Sequence, residues 1–318
     1  MKIPVTILSG FLGSGKTSLL NRILAAHPNG RIAVLENEFG EIAVDTELIS
    51  AIREDIIELT NGCVCCTVRG DLSGAFETLG ERIEGGDHFD RVLIETTGLA
   101  DPGPVAQVFL IEGAAKERFR LDAVVTVVDA RQMLDGINDR GESKAQIALA
   151  DVLVVNKTDL ASTKEVEGLE RWLETMNPGA KRLRALHADV PMKEIIDIEA
   201  FDMTRAAEAS GEVEAGFEHD DAIGSVGLRL SGDLDRDRFT SWIAGVLSRS
   251  GPRLLRVKGI LAFAGDDKRC IFDAVQMLND LREGREWKND PRESKIVFIG
   301  HDLDREDLKS GFEECVLL

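Results

Sequence analysis

The chain has 318 residues, with 38 Lys and Arg against 57 Asp and Glu for a formal net charge of −19, and five cysteines. That length gives room for two hydrophobic cores. No apolar run approaches the ~20 residues of a membrane-spanning helix, and the acidic balance argues against sequence-independent nucleic-acid binding, which neutralises phosphates with clustered Lys and Arg.

The first segment, IPVTILS (3–9), reads as a strand, because its apolar run leads into a glycine-rich loop in place of a small-residue cleavage site. With no export signal and an odd cysteine count lacking framework spacing, the expectation is a cytoplasmic protein in a reducing compartment. KTSLLNRILAA (16–26) follows with Leu19, Leu20, Ile23 and Leu24 at helical spacing. Further strands are expected at 31–37, 56–61, 91–97, 123–130, 152–157 and 182–188. Several are apolar throughout, which suits strands covered on both faces, and their alternation with helical patterns implies a mostly parallel, doubly wound α/β sheet. This first domain is expected over 1–196. Residues 197–221, acidic and poor in large apolar side chains, read as a linker. A smaller α+β domain then spans 222–318, with strands at 222–232, 254–265, 269–276 and 294–300 and helices at 234–250 and 304–315.

GFLGSGKT, from Gly10 to Thr17, matches GxxxxGK followed by Ser or Thr and lies between an expected strand and an expected helix. Gly10, Gly13, Ser14, Gly15 and Ser18 would frame backbone N–H groups around phosphate oxygens, aided by the helix dipole. Lys16 would reach the β and γ phosphates and the Thr17 hydroxyl would ligate Mg2+. NKTD, Asn156 to Asp159, then selects the base. Asp159 can accept two hydrogen bonds from guanine that adenine cannot donate, with Asn156 and Lys157 completing the pattern, so GTP is the expected nucleotide. His187 falls where a loop closing over the base should be. In RVLIETTGLADP (91–102), Glu95 ends a strand and can hold Mg2+ through water, while Gly98 can offer its N–H to the γ-phosphate. Asp is commoner than Glu at that position. No glutamine sits in the usual place after Gly98 to position the attacking water, so slow turnover is expected.

Three of the five cysteines, Cys63, Cys65 and Cys66, form the pattern CxCC. In an extended segment Cys63 and Cys65 face one side and Cys66 the other. Either Gly62 lets the backbone curl, or two thiolates bind a metal and other residues complete the shell. ENEFGE (36–41) supplies Glu36, Glu38 and Glu41 from a loop leaving the same end of the sheet. Mixed sulfur and oxygen ligation suits a metal that must later leave, and Zn2+, Co2+ and Fe2+ all tolerate it. Packing as small hydrophobes and redox activity are the other readings of these thiols.

GFLGSGKT, ENEFGE, ELTNGCVCC, ETTGLADP and NKTD, in that order, resemble the CobW-like (YjiA-type) family of P-loop GTPase metallochaperones, and LLRVKGILAF and SKIVFIG resemble strands of its C-terminal domain. The resemblance implies a GTPase that binds a transition metal, most often zinc, through Cys63, Cys65 and Cys66 with Glu36 and Glu41 as carboxylate partners. It also implies a client protein that receives the metal. A nucleotide-dependent homodimer, which would accelerate turnover, is a further expectation. The histidine-rich stretch many members carry near the domain boundary is reduced here to EHDD around His219. The competing expectation is a regulatory GTP-binding module whose cysteines sense metal or oxidation state.

Overall fold

The computed structural model describes residues 2–37, 56–58, 67–111, 113–136, 141–198 and 223–317. They belong to two compact units, Met1–Arg171 with Ala180–Phe201, and Trp172–Gly179 with Asp202–Leu318.

The first unit is built on a parallel sheet of β1 (Ile3–Ser9), β2 (Ile32–Asn37), β3 (Ile56–Glu58), β4 (Arg91–Thr96), β5 (Phe119–Asp129), β6 (Val152–Asn156) and β7 (Lys181–Arg184). Their order across the sheet is β3-β2-β4-β1-β5-β6-β7, with every neighbouring pair parallel. All residues of β4 and β6 are buried, as an apolar run without alternation requires when both faces are covered. The helices are α1 (Lys16–Ala26), α2 (Thr67–Glu84), α3 (Gly103–Gln107), α4 (Ala114–Arg118), α5 (Ala130–Leu134), α6 (Gly141–Leu149) and α7 (Thr163–Met176), of which α7 from Trp172 on belongs to the second unit. The apolar stripe of α1, Leu19, Leu20, Ile23 and Leu24, joins Val34, Leu93, Val125 and Val154 in one core. From β1 the chain moves to one side of the sheet and from β4 to the other. The carboxyl end of β1 is therefore the switch point, where loops part and ligands bind.

Near the start of β4, Arg91 is buried against Asp122 at 3.1 Å and against Asp197 at 2.6 Å. Thr6 Oγ1 takes a further bond from Arg91 at 3.1 Å, so this buried charge meets two carboxylates and a hydroxyl. The expected strand 182–188 is shorter, ending at Arg184, and its remainder turns into a loop at the ligand edge. Of the expected linker, Asp197 and Ile198 are described and the rest lies outside the described residues.

The second unit is an antiparallel sheet, β11-β10-β9-β12-β8, of β8 (Ile223–Ser231), β9 (Leu254–Leu261), β10 (Lys268–Val275), β11 (Leu278–Glu286) and β12 (Glu293–His301), with helices α8 (Arg236–Ser250) and α9 (Arg305–Glu313). Val257 lies opposite both Phe298 and Ala274, so these side chains share the face that meets Phe239, Ile243, Leu308 and Phe312 of the two helices. Asp235 caps α8, its carboxylate accepting from Asp237 N–H at 3.0 Å and Arg238 N–H at 2.9 Å. Strand β11 was not expected from sequence. Its LNDLREGRE is mostly charged and largely exposed, the composition that protects a sheet edge from further pairing. Among the described residues no helix is long and apolar enough to cross a membrane.

Candidate functional site

The loop from Gly10 to Gly15 leaves β1 at the switch point and feeds directly into α1. Gly10 has φ 133°, and a methyl group there would collide with the Val127 carbonyl of the neighbouring strand, so only glycine lets the loop turn this tightly. Lys16 is 8% exposed, its Nζ donating to Phe11 O at 3.3 Å across the loop. Ser14 is fully buried, whereas Gly13 and Ser18 face solvent on the open side.

Glu95 stands near the end of β4, beside Leu8 of β1 in register. Thr17 Oγ1 donates to Glu95 Oε1 at 2.8 Å. Two hard oxygen donors thus converge next to the lysine of the phosphate loop, a set that fits Mg2+ with substrate phosphates and water completing its shell. Three residues on, Gly98 packs so closely that a methyl group would strike the Leu12 amide nitrogen. Thr17 thus meets Glu95, while Lys16 and Gly98 each lie against the glycine-rich loop, at Phe11 and Leu12. Further along the chain from Gly98, burial pushes the Asp101 carboxyl above its ordinary range, opposed by a hydrogen bond from Gly103 N–H at 2.8 Å.

The NKTD segment is joined to the glycine-rich loop by side chains. Asn156 ends β6 and is 2% exposed. Its Nδ2 donates to Ser14 O at 2.9 Å and its Oδ1 accepts from Ala188 N–H at 2.8 Å, so one amide spans both loops. Lys157, in the left-handed region at φ 57°, donates from Nζ to Gly13 O and to Asp129 Oδ2, each at 2.7 Å. Asp159 sits exposed in the turn Thr158–Leu160, its carboxylate open to a ligand. His187 and Ala188 both hold positive φ, 51° and 56°, a strained pair of conformations for residues with a Cβ. The strain is held by Asn156 on one side and by Arg22 of α1 on the other. Arg22 donates from Nε to His187 O at 2.8 Å and from Nη1 to Asp189 at 3.0 Å. The His187 side chain is exposed.

Residues 4–184 match the family model described as CobW/HypB/UreG, nucleotide-binding domain, and residues 223–316 match the cobalamin synthesis protein cobW C-terminal domain. The chain belongs to the CobW family. It is 35% identical over 313 residues to the zinc chaperone YjiA of Escherichia coli (strain K12), covering 98% of each chain. It is 34% identical over 386 residues to zinc-regulated GTPase metalloprotein activator 1 of Dictyostelium discoideum, covering 99% of this chain and 80% of the relative. A crystal structure described as Zn(II)-bound YjiA GTPase from E. coli superposes with a TM-score of 0.74 at 29% identity, covering 100% of each chain.

Two features of this CobW-family site escaped the sequence motifs. Asp129, 4% exposed, accepts from Arg131 N–H at 2.9 Å, Gln132 N–H at 3.1 Å and Lys157 Nζ at 2.7 Å. It thereby caps α5 and fixes the lysine of NKTD in one step. Its only sequence signal is an acidic residue closing the apolar run AVVTVVD. Arg22 is the second, an ordinary surface position by helical spacing. The metal side is different. Cys63, Cys65, Cys66, Glu38 and Glu41 lie outside the described residues, and among the described residues no group of three His, Cys, Asp or Glu is placed to hold a metal ion. Glu36 is described through its backbone, which pairs in register with Glu95 on one side and Glu58 on the other.

Proposed function

We propose that this protein is a GTP-hydrolysing zinc metallochaperone in which the nucleotide state governs how tightly the metal is held. Asn156 is the observation that carries the nucleotide half, because one buried side chain locks the phosphate loop to the loop that would close over guanine. Phosphates and base are then read by a single connected structure, with Asp159 open to guanine and Lys157 fixed by Gly13 O and Asp129. Lys16 would bind the β and γ phosphates, and the Gly98 N–H the γ-phosphate alone. Thr17, with Glu95 through water, would hold Mg2+, and the ion when bound would supply positive charge beside the phosphoryl group.

For zinc, the reading rests on Cys63, Cys65 and Cys66 with Glu36 and Glu41 as carboxylate partners, and on the zinc-linked names of the relatives. The register of Glu36 with Glu95 supports coupling: the chain entering the glutamate loop leaves the strand next to the one bearing the magnesium carboxylate. GTP would order that loop and draw the ligands together, and hydrolysis would release them so that the ion passes to a client protein. Turnover in the isolated chain is expected to be slow, with a client or a second copy as accelerator. Cys270 and Cys315, both free and buried, fit the reducing cytoplasm.

The test combines hydrolysis and metal binding. GTP with Mg2+ should be hydrolysed and ATP left nearly untouched. Cys65→Ser should weaken zinc binding at least about tenfold while GTP affinity stays within about twofold. Equal hydrolysis of ATP and GTP would overturn the guanine assignment, and full zinc affinity after replacing all three clustered cysteines by serine would overturn the thiolate site.

A further inference from the structure

Helix α6 follows the pattern of a buried helix, with Ile147, Ala148 and Leu149 packed away from solvent. Gln146 is 1% exposed in the same stretch, and burying a primary amide there is costly unless its hydrogens find acceptors. They do, and both go to one loop. Nε2 donates to Gly98 O at 3.1 Å and to Ala100 O at 3.0 Å. The helix is itself tied to the sheet at this residue, since Gln146 O accepts from Thr126 Oγ1 at 2.9 Å.

The consequence concerns Gly98. Its amide belongs to the peptide plane shared with Thr97, and that plane is fixed by the turn in which Thr97 O accepts from Ala100 N–H at 3.1 Å. The plane following Gly98 is fixed by Gln146 through the carbonyl. On the remaining side Leu12 leaves no room even for a methyl group. With both adjoining planes pinned, the direction of the Gly98 N–H is set before any ligand arrives, because each peptide unit moves as a rigid plate. We infer that Gln146 is a positioning residue for γ-phosphate recognition, acting through Gly98 rather than by touching the nucleotide. The inference rests on the GTPase reading above and adds to it the side chain that makes the site distinguish a triphosphate from a diphosphate.

The variant that tests it is Gln146→Met, which keeps length and flexibility and removes both donors. Affinities for GDP and for guanosine 5′-(β,γ-imido)triphosphate are measured with Mg2+ on the full chain, alongside kcat for GTP and the thermal midpoint. The triphosphate analogue should bind roughly tenfold more weakly while GDP stays within about twofold, as expected when the lost bonds act on one phosphate alone. Gly98→Ala should also weaken the analogue, and adding Gln146→Met to it should cause little further loss, since both act through the same peptide. Ser143→Ala, an equally buried position on α6 whose hydroxyl has no partner among the described residues, should change neither affinity. Equal weakening of both nucleotides, or a lowered thermal midpoint with the ratio of affinities intact, would reduce Gln146 to a packing brace. If the unmodified chain neither binds nor hydrolyses GTP, the reading beneath the inference falls with it. If the unmodified chain does both and Gln146→Met leaves the ratio unchanged, the inference alone falls.

Discussion

The parallel and antiparallel sheets of this molecule place their polar side chains differently. In the parallel unit Glu95, Asp129 and Asn156 are all buried and all stand at or near the carboxyl ends of β4, β5 and β6, around the phosphate loop that follows β1. In the antiparallel unit a cluster of aromatic rings sits within a largely aliphatic core. Phe239 has the rings of Trp242, Phe263 and Phe272 within 5.8 Å of its own centroid, and Phe312 at 6.4 Å. The cause is topological. Parallel strands all finish on one edge, so their loops converge and can share a ligand, whereas antiparallel strands alternate ends and disperse their loops. The parallel sheet therefore gathers these polar groups at one edge above a core of its own, and the antiparallel sheet packs its rings against two helices.

The comparison breaks most sharply at Gly10. Gly10→Ala places a methyl group against the Val127 carbonyl in a backbone conformation that L side chains rarely adopt, so the phosphate loop must move. GTP affinity by calorimetry should fall by about a hundredfold or more, with little change in the core of the second unit. Phe239→Ala is the mirror experiment. It should destabilise the antiparallel unit by about 3–5 kcal/mol, read from denaturant unfolding, and leave GTP affinity within about twofold. Asp129→Asn retains an oxygen to cap α5 but loses the charge that holds Lys157. GTP and GDP should both bind about tenfold more weakly, in contrast to the triphosphate-selective effect assigned to Gln146.

The smallest effect belongs to Cys315. Burial pushes its thiol up from 9.0 to about 11, and Sγ donates to Gly311 O at 3.2 Å. A folded value above the unfolded one means that the stabilisation is fully present below pH 9.0 and is lost as pH rises through about 11. The denaturant midpoint of the antiparallel unit should fall over that window, and Cys315→Ala should flatten the fall.

What could be read from sequence divides along the same physical line. GFLGSGKT, Glu95 and NKTD stand out in the sequence because the chemistry proposed for them demands fixed residue types at short spacing. The strands at 3–9 and 152–157 were legible because continuous β-branched runs have few other uses. Asp129, Arg22 and Gln146 were not, since each acts on a loop distant in sequence and nothing local marks the partner. Strand β11 was hidden by the charges that keep an edge solvated. The expected strand 182–188 runs through His187 and Ala188, although His187 also falls where a base-closing loop is expected. Their left-handed conformations arise from Arg22 and Asn156, which only the tertiary structure brings near.

The central claim is that nucleotide and metal are coupled, and linkage makes the coupling reciprocal. The direct measurement is the zinc affinity of the full chain by competition with a chromophoric chelator, in the presence of Mg2+ with a non-hydrolysable GTP analogue, with GDP, and without nucleotide. The account predicts that the GTP-analogue state holds zinc at least about fivefold more tightly than the GDP state, the lower end of ordinary coupling energies. Equal affinity in all three states would contradict it.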